Sequence, residues 1–91
     1  MSENDNKFWC TWVNNYWQIV TFCGQHGDWV THVRDSDGKE DYWFAPLIGG
    51  TIRQAHKNHS KALQYVLDGY NGCRERPIVR WEETGHAWEN I

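Results

Sequence analysis

Apolar and polar positions alternate through the first half of the chain, and the period changes to a helical one in the second. Phe8-Trp9-Cys10-Thr11-Trp12-Val13 is rich in β-favouring side chains and has no helical period, so it predicts a short strand or extended segment. Asn14-Asn15 follows, a turn signal because asparagine tolerates left-handed backbone. Phe8 to Cys23 is therefore either one long strand with a bulge or, as the preferred arrangement, a hairpin. Tyr16 to Cys23 reads as a strand with Tyr16, Gln18, Val20 and Phe22 on one face and Trp17, Ile19, Thr21 and Cys23 on the other. Neither face is polar, which predicts a central strand covered on both sides.

Asp28 to Arg34 is the next strand, with Trp29, Thr31 and Val33 on the expected core face. Asp35-Ser36-Asp37-Gly38-Lys39 is the clearest turn in the chain, and the aromatic run after it predicts a return strand over Glu40 to Phe44. Pro46 ends that strand because it has no amide hydrogen for the ladder. Leu47 to Gly50 reads as a bend, and Thr51 to Lys57 fits either a strand or a helical turn. Leu63, Val66, Leu67 and Tyr70 then fall on one helical stripe beside Ala62, with Asn58 or Ser60 as cap and Gly69 and Gly72 as the stop. Such a stripe is core packing against a sheet. Pro77-Ile78-Val79-Arg80-Trp81 adds a candidate edge strand.

These elements predict an α+β fold: an antiparallel sheet of three to five strands with one amphipathic helix packed on one face. The 91 residues make one domain, with an ordered core over about residues 8–81 and peripheral segments at 1–7 and 82–91.

Composition changes the picture in one respect. Seven tryptophans in 91 residues are more large rings than so small a core can enclose, so some must face outward and offer a contact surface. Charge is segregated along the chain. Residues 1–50 carry three Lys or Arg and seven Asp or Glu, residues 51–80 carry six and two, and the last eleven carry three acidic side chains and no basic one. The sheet and tail are thus acidic and the helix side basic. No apolar run approaches the roughly 18 residues of a membrane span. The first residues have neither the basic nor the apolar region of a signal peptide, and three cysteines do not make an even disulfide framework. A cytoplasmic chain with reduced thiols is the expectation.

Candidate chemistry is sparse. Cys23 and His26, with His56 and His59, form two spaced pairs that zinc could use, but there is no paired-cysteine knuckle, so neither a metal nor a cofactor is expected. Asp35, Asp37 and Glu40 crowd one loop without the closing bidentate Glu of a calcium loop. No phosphate-cradling glycine loop or nucleophile elbow is present, and no enzyme is expected.

Two binding functions remain. A protein-docking module, acting on a larger protein or complex, would use Trp29, Asp35, Asp37, Glu40, Asp41, Trp43, Trp81 and Trp88, since aromatic residues dominate binding hot spots. In its small size, acidity and single domain the chain resembles the inhibitors that bacteriophages encode against host machines, which implies an inhibitor or accessory subunit. A nucleic-acid binder would instead use Arg53, Lys57, Lys61 and Arg74 on the helix side. The order of three strands and a helix resembles the plant ethylene-response and integrase arm-type DNA readers, whose sheets are basic where this one is acidic. An aromatic surface would equally suit the seam of a homodimer.

Overall fold

A computed structural model describes residues 8–24 and 26–82. It contains β1 (Phe8–Val13), β2 (Trp17–Cys23), β3 (Trp29–Arg34), β4 (Leu47–Gly49), one helix α1 (Ile52–Asp68) and β5 (Val79–Glu82). The strands form one five-stranded sheet in the order β4-β3-β2-β1-β5, with every neighbouring pair antiparallel. The fold is the α+β class that the pattern predicts, at the upper end of the expected strand number.

The chain reaches one edge of the sheet at β4 and resumes at the opposite edge as β5. The helix between them makes the crossing. Its 17 residues span about 25 Å, more than the ~19 Å across the four spacings of a five-stranded sheet. No membrane-spanning helix occurs among the described residues.

The first hairpin is the arrangement expected. Asn14 and Asn15 both take the left-handed backbone, with φ of 54° and 55°, and the Tyr16 amide donates to the Val13 carbonyl at 3.0 Å. Asn14 also receives the returning chain, because its side-chain oxygen accepts from the Ile78 amide at 2.7 Å and its own amide donates to the Ile78 carbonyl at 2.8 Å. The turn thereby aligns the start of β5 beside β1, so the candidate edge strand forms at that border.

The second hairpin departs from expectation. Asp35 holds its own turn, its Oδ1 accepting from the amides of Asp37 and Lys39 at 3.0 and 2.9 Å, and Gly38 takes a φ of 86°. Pairing then lasts for the single bridge between Arg34 and Glu40. The Asp41 amide still donates to the Val33 carbonyl at 2.8 Å, and residues 42–44 then leave the ladder. The Asp41 Oδ1 accepts from the Trp43 amide at 3.3 Å and the Phe44 amide donates to the Asp41 carbonyl at 3.3 Å, so local bonds replace a strand's cross-strand ones. The partner of β3 is instead Leu47–Gly49, read from the sequence as a bend. Gly49 is needed there because a Cβ would lie 2.7 Å from Gln54 Cβ, where the helix crosses the edge strand.

The helix starts earlier than the apolar stripe suggests. Thr51, not Asn58 or Ser60, is its N-cap: the Thr51 hydroxyl accepts from the Gln54 amide at 3.1 Å, and the Gln54 side chain accepts from the Gly50 amide at 2.7 Å. This is a variant of the reciprocal Thr-x-x-Gln capping pattern.

The buried stripe of α1 is Ala55, His59, Ala62 and Val66, and it faces the sheet in three layers. Ala55 packs with Cys23, Trp29 and half-buried Trp9; Ala62 and Val66 pack with Val13, Ile19 and Val33. The layer between them is polar. His59 meets Thr11 at 2.8 Å through Nε2 and Thr21 at 2.7 Å through Nδ1, and Thr21 meets Thr31 at 2.7 Å. All four side chains are buried. A neutral imidazole has one N–H and one acceptor nitrogen. Either tautomer satisfies both ring nitrogens here, because each threonine hydroxyl can donate or accept. Burial, reinforced by the charge of nearby His56, lowers the His59 pKa from 6.5 to about 4.

On the opposite sheet face Cys10 and Val20 are buried, His32 stacks on Phe22 at 5.5 Å, and its Nδ1 faces the carboxylate of Glu40. Cover on both sides of β2 is thus partial. The helix seals one face, while on the other Gln18 and Phe22 remain half-buried and Tyr16 is exposed.

The His59 shift fixes a sign for acid sensitivity. Between pH 6.5 and about 4 the unfolded chain takes up a proton that the folded protein refuses, so stability is full above 6.5, falls as pH drops through this window and levels off below it. The loss from this group should approach ~3 kcal/mol. Urea denaturation across the window measures it, and the His59 imidazole followed by NMR should stay neutral down to about pH 4. Separately, Thr51→Ala should cost ~1 kcal/mol by removing the cap, measured by the urea midpoint at pH 7.

Candidate functional site

The interrupted return strand creates the most distinctive surface feature. Because residues 42–44 turn out of the sheet, the Tyr42-Trp43-Phe44 run comes to lie near the C-terminal end of α1. Two contacts hold it there: the Tyr65 hydroxyl donates to the Asp41 Oδ2 at 2.8 Å, and the Phe44 and Tyr65 rings pack at 4.8 Å. Between this loop, the start of β2 and the end of the helix lies an open cleft of about 590 Å³, lined by Trp17, Asp41, Trp43, Tyr65, Val66, Asp68, Gly69 and Tyr70. That volume is within the usual range of ligand pockets, about 300–1,000 Å³.

The floor and the wall of the cleft differ. Trp17 and Tyr70 are half-buried and pack against the Val13–Ile19–Val33 core, so their positions are set by the fold. Trp43 is 81% exposed, although its Asx-type turn and the edge-on contact with Tyr42 at 5.1 Å locate it. A large indole left in water at the rim of a concave surface is the kind of side chain that gains most from a partner.

The electrostatics are one-sided. Asp41 and Asp68 are the only charged residues of the lining, and neither has an ion-pair partner among the described residues. Asp68 is the last residue of α1, at the negative end of the helix dipole, and the last turn contains no basic side chain. Asp68 accepts from Gln64 at 2.7 Å, which orients it without neutralising it. The bond to Asp41, together with desolvation and the Asp41 charge, raises the Tyr65 pKa above its ordinary value near 10, so the phenol keeps its proton as a donor.

The residues expected at a protein contact are divided by the structure. Asp41 and Trp43 line the cleft. Trp29 does not present a surface: it is 4% exposed and stacks on Trp9 at 5.2 Å, so its assignment to a protein contact is corrected to core. Asp35 is occupied with its turn, Asp37 is exposed on it, and Glu40 faces His32 on the opposite sheet face. Trp81 is 64% exposed on edge strand β5 and stacks on His59 at 5.7 Å. Trp88 lies outside the described residues. Outward-facing tryptophans are thus present, as the count of rings requires.

Arg53, Lys57, Lys61 and Arg74 are all exposed, the first three spaced four residues apart along the helix. The candidate metal pairs do not converge. His59 has both nitrogens engaged by threonines, His56 stacks on Trp9 at 4.2 Å, the Cys23 thiol donates to the Gly24 carbonyl at 3.6 Å, and His26 is exposed. No group of three potential ligands occurs among the described residues.

Sequence reading missed Trp17, Tyr65, Asp68 and Tyr70 as cleft residues. Trp17 and Tyr70 carried only the strand and helix patterns. One signal was visible: an aspartate closing a helix whose last turn has no basic residue, with a tyrosine one turn before it.

In comparisons with known proteins the chain matches no family model, no curated protein and no solved structure.

The Tyr65–Asp41 bond can be tested by its effect on titration. The difference between the ultraviolet titrations of the protein and of Tyr65→Phe isolates Tyr65, which should ionise above the ordinary value near 10. Asp41→Asn should move that transition down.

Proposed function

We propose that this chain is a non-catalytic protein-binding domain that docks through the cleft rimmed by Trp43, acting as an inhibitor or accessory subunit of a larger protein. The observation that carries the reading is the combination at Trp43. The ring is 81% exposed, yet it is held on a loop that the Tyr65–Asp41 bond fastens to the helix. An exposed ring on a pinned loop can be buried by a partner with little ordering cost. Trp17 and Tyr70, anchored in the core, supply a rigid base beneath it.

A second reading, nucleic-acid binding, draws support from Arg53, Lys57 and Lys61, which form an exposed basic row along α1. The two readings call on different surfaces and so predict different mutants. On the docking reading, a partner retained by the tagged full chain from its native cells is lost with Trp43→Ala, by at least roughly tenfold for a central anchor, and is retained with the double variant Arg53→Glu, Lys57→Glu. The reverse pattern, together with retention of DNA or RNA that weakens steeply with salt, would overturn docking in favour of nucleic acid.

A further inference from the structure

We infer that the Trp43 cleft is a receptor for a cationic side chain, an arginine or lysine on the surface of a partner protein; this rests on the docking reading of the same cleft. Three independent features point to a cation. The first is the lining: Trp17, Trp43, Tyr65 and Tyr70 bring four aromatic rings to one concavity of about 590 Å³. Aromatic faces attract ammonium and guanidinium groups, Trp most strongly, and desolvation inside a cleft strengthens the attraction.

The second is charge. The only charged residues lining the cleft are Asp41 and Asp68, and no cation answers either of them among the described residues. Their acceptor capacity is not exhausted. A carboxylate has about four lone-pair sites, of which Asp68 shows one in use, to Gln64, and Asp41 two, to Tyr65 and to the Trp43 amide. The bonds they do make come from neutral donors, which aim the oxygens and leave the negative charge standing.

The third is the helix. Gly69 and Tyr70 continue from the last turn of α1, so the cleft opens at the negative end of the macrodipole. An acidic residue at that position is destabilising in isolation, and a lysine or arginine would be the stabilising choice. The helix carries its basic residues instead at Arg53, Lys57 and Lys61, none of them in its last turn. A cation supplied by another molecule would relieve both carboxylates and the helix end together. The same field disfavours phosphate, so the cleft and the basic helical row would select opposite partners.

The test uses the full chain and small probes. N-acetyl-arginine amide and N-acetyl-lysine amide are titrated while the indole N–H signals of Trp17 and Trp43 are followed by NMR. Each probe is paired with its neutral counterpart, N-acetyl-citrulline amide for arginine and Nα,Nε-diacetyl-lysine amide for lysine. The expected result is saturable movement of both signals with at least one charged probe and none with its neutral counterpart. Asp68→Asn should weaken that binding roughly five-fold, as loss of one partly exposed charge does. Asp68 is on the surface, so this variant should stay folded; Trp43→Ala serves as a second variant and should abolish the response of Trp17. Equal movement with charged and neutral probes, or no saturable movement with either charged probe, would overturn the cation receptor. Partner retention with and without Trp43→Ala still judges docking separately, so the two claims can fail independently. Sedimentation of the chain alone adds one arm: concentration-dependent association weakened both by Asp68→Asn and by the double variant Arg53→Glu, Lys57→Glu would mean that the basic row of a second copy fills the cleft, overturning the assignment to another protein.

Discussion

A histidine ring held by threonines on two adjacent strands fixes how the helix sits on the sheet. Hydrophobic burial is non-directional and would tolerate α1 at several rotations and registers. The His59 bonds would not. A buried imidazole must satisfy two nitrogens lying in one plane, and here Thr11 of β1 and Thr21 of β2 are the partners, with Thr31 of β3 behind Thr21. A one-residue slip of any of these strands would send its threonine to the other face and leave a polar atom buried without a partner. The small side chains around it matter as much. Ala55 and Ala62 flank His59 on the same stripe and are fully buried, so the helix approaches closely enough for the bonds to form.

The position of the helix then sets the cleft. Its last turn brings Tyr65 within reach of Asp41, and that contact joins the loop to the helix. The three charged or polar groups at the site are therefore arranged by a helix whose placement is fixed at His59, about two helical turns away. Asp68 runs against the dipole preference for its position.

Much of this architecture was legible. Asn14-Asn15 marks a hairpin because two adjacent left-handed residues are what a tight turn between twisted strands requires. The alternation in Trp29, Thr31 and Val33 identifies the core face of β3 correctly. The first half of the helix was obscured because its buried positions are an alanine and a histidine, residues that do not form an apolar stripe; only Thr51-x-x-Gln54 marked the start. The Tyr42-Trp43-Phe44 run misled for a different reason. Aromatic residues favour strands when half-buried on a pleated surface, but here Tyr42 and Trp43 are displayed on a loop while Phe44 packs against the core. The cleft itself could not be read, since its walls come from residues 17, 41, 43, 65, 66 and 68–70 and only the folded sheet and helix join them.

The two borders of the sheet have a consequence for the protein's behaviour in concentrated solution. Unpaired strand edges are templates on which chains add to one another and aggregate. Here β4 is three residues long, follows directly on Pro46 and lies beneath the start of the helix, where Gly49 admits Gln54. The other border, β5, has Pro77 shortly before it and a charged Arg80 within it, both features that blunt an edge. A chain so rich in aromatic strands thus has, in the short β4 under its helix and in the proline and charge at β5, a built-in obstacle to fibre formation.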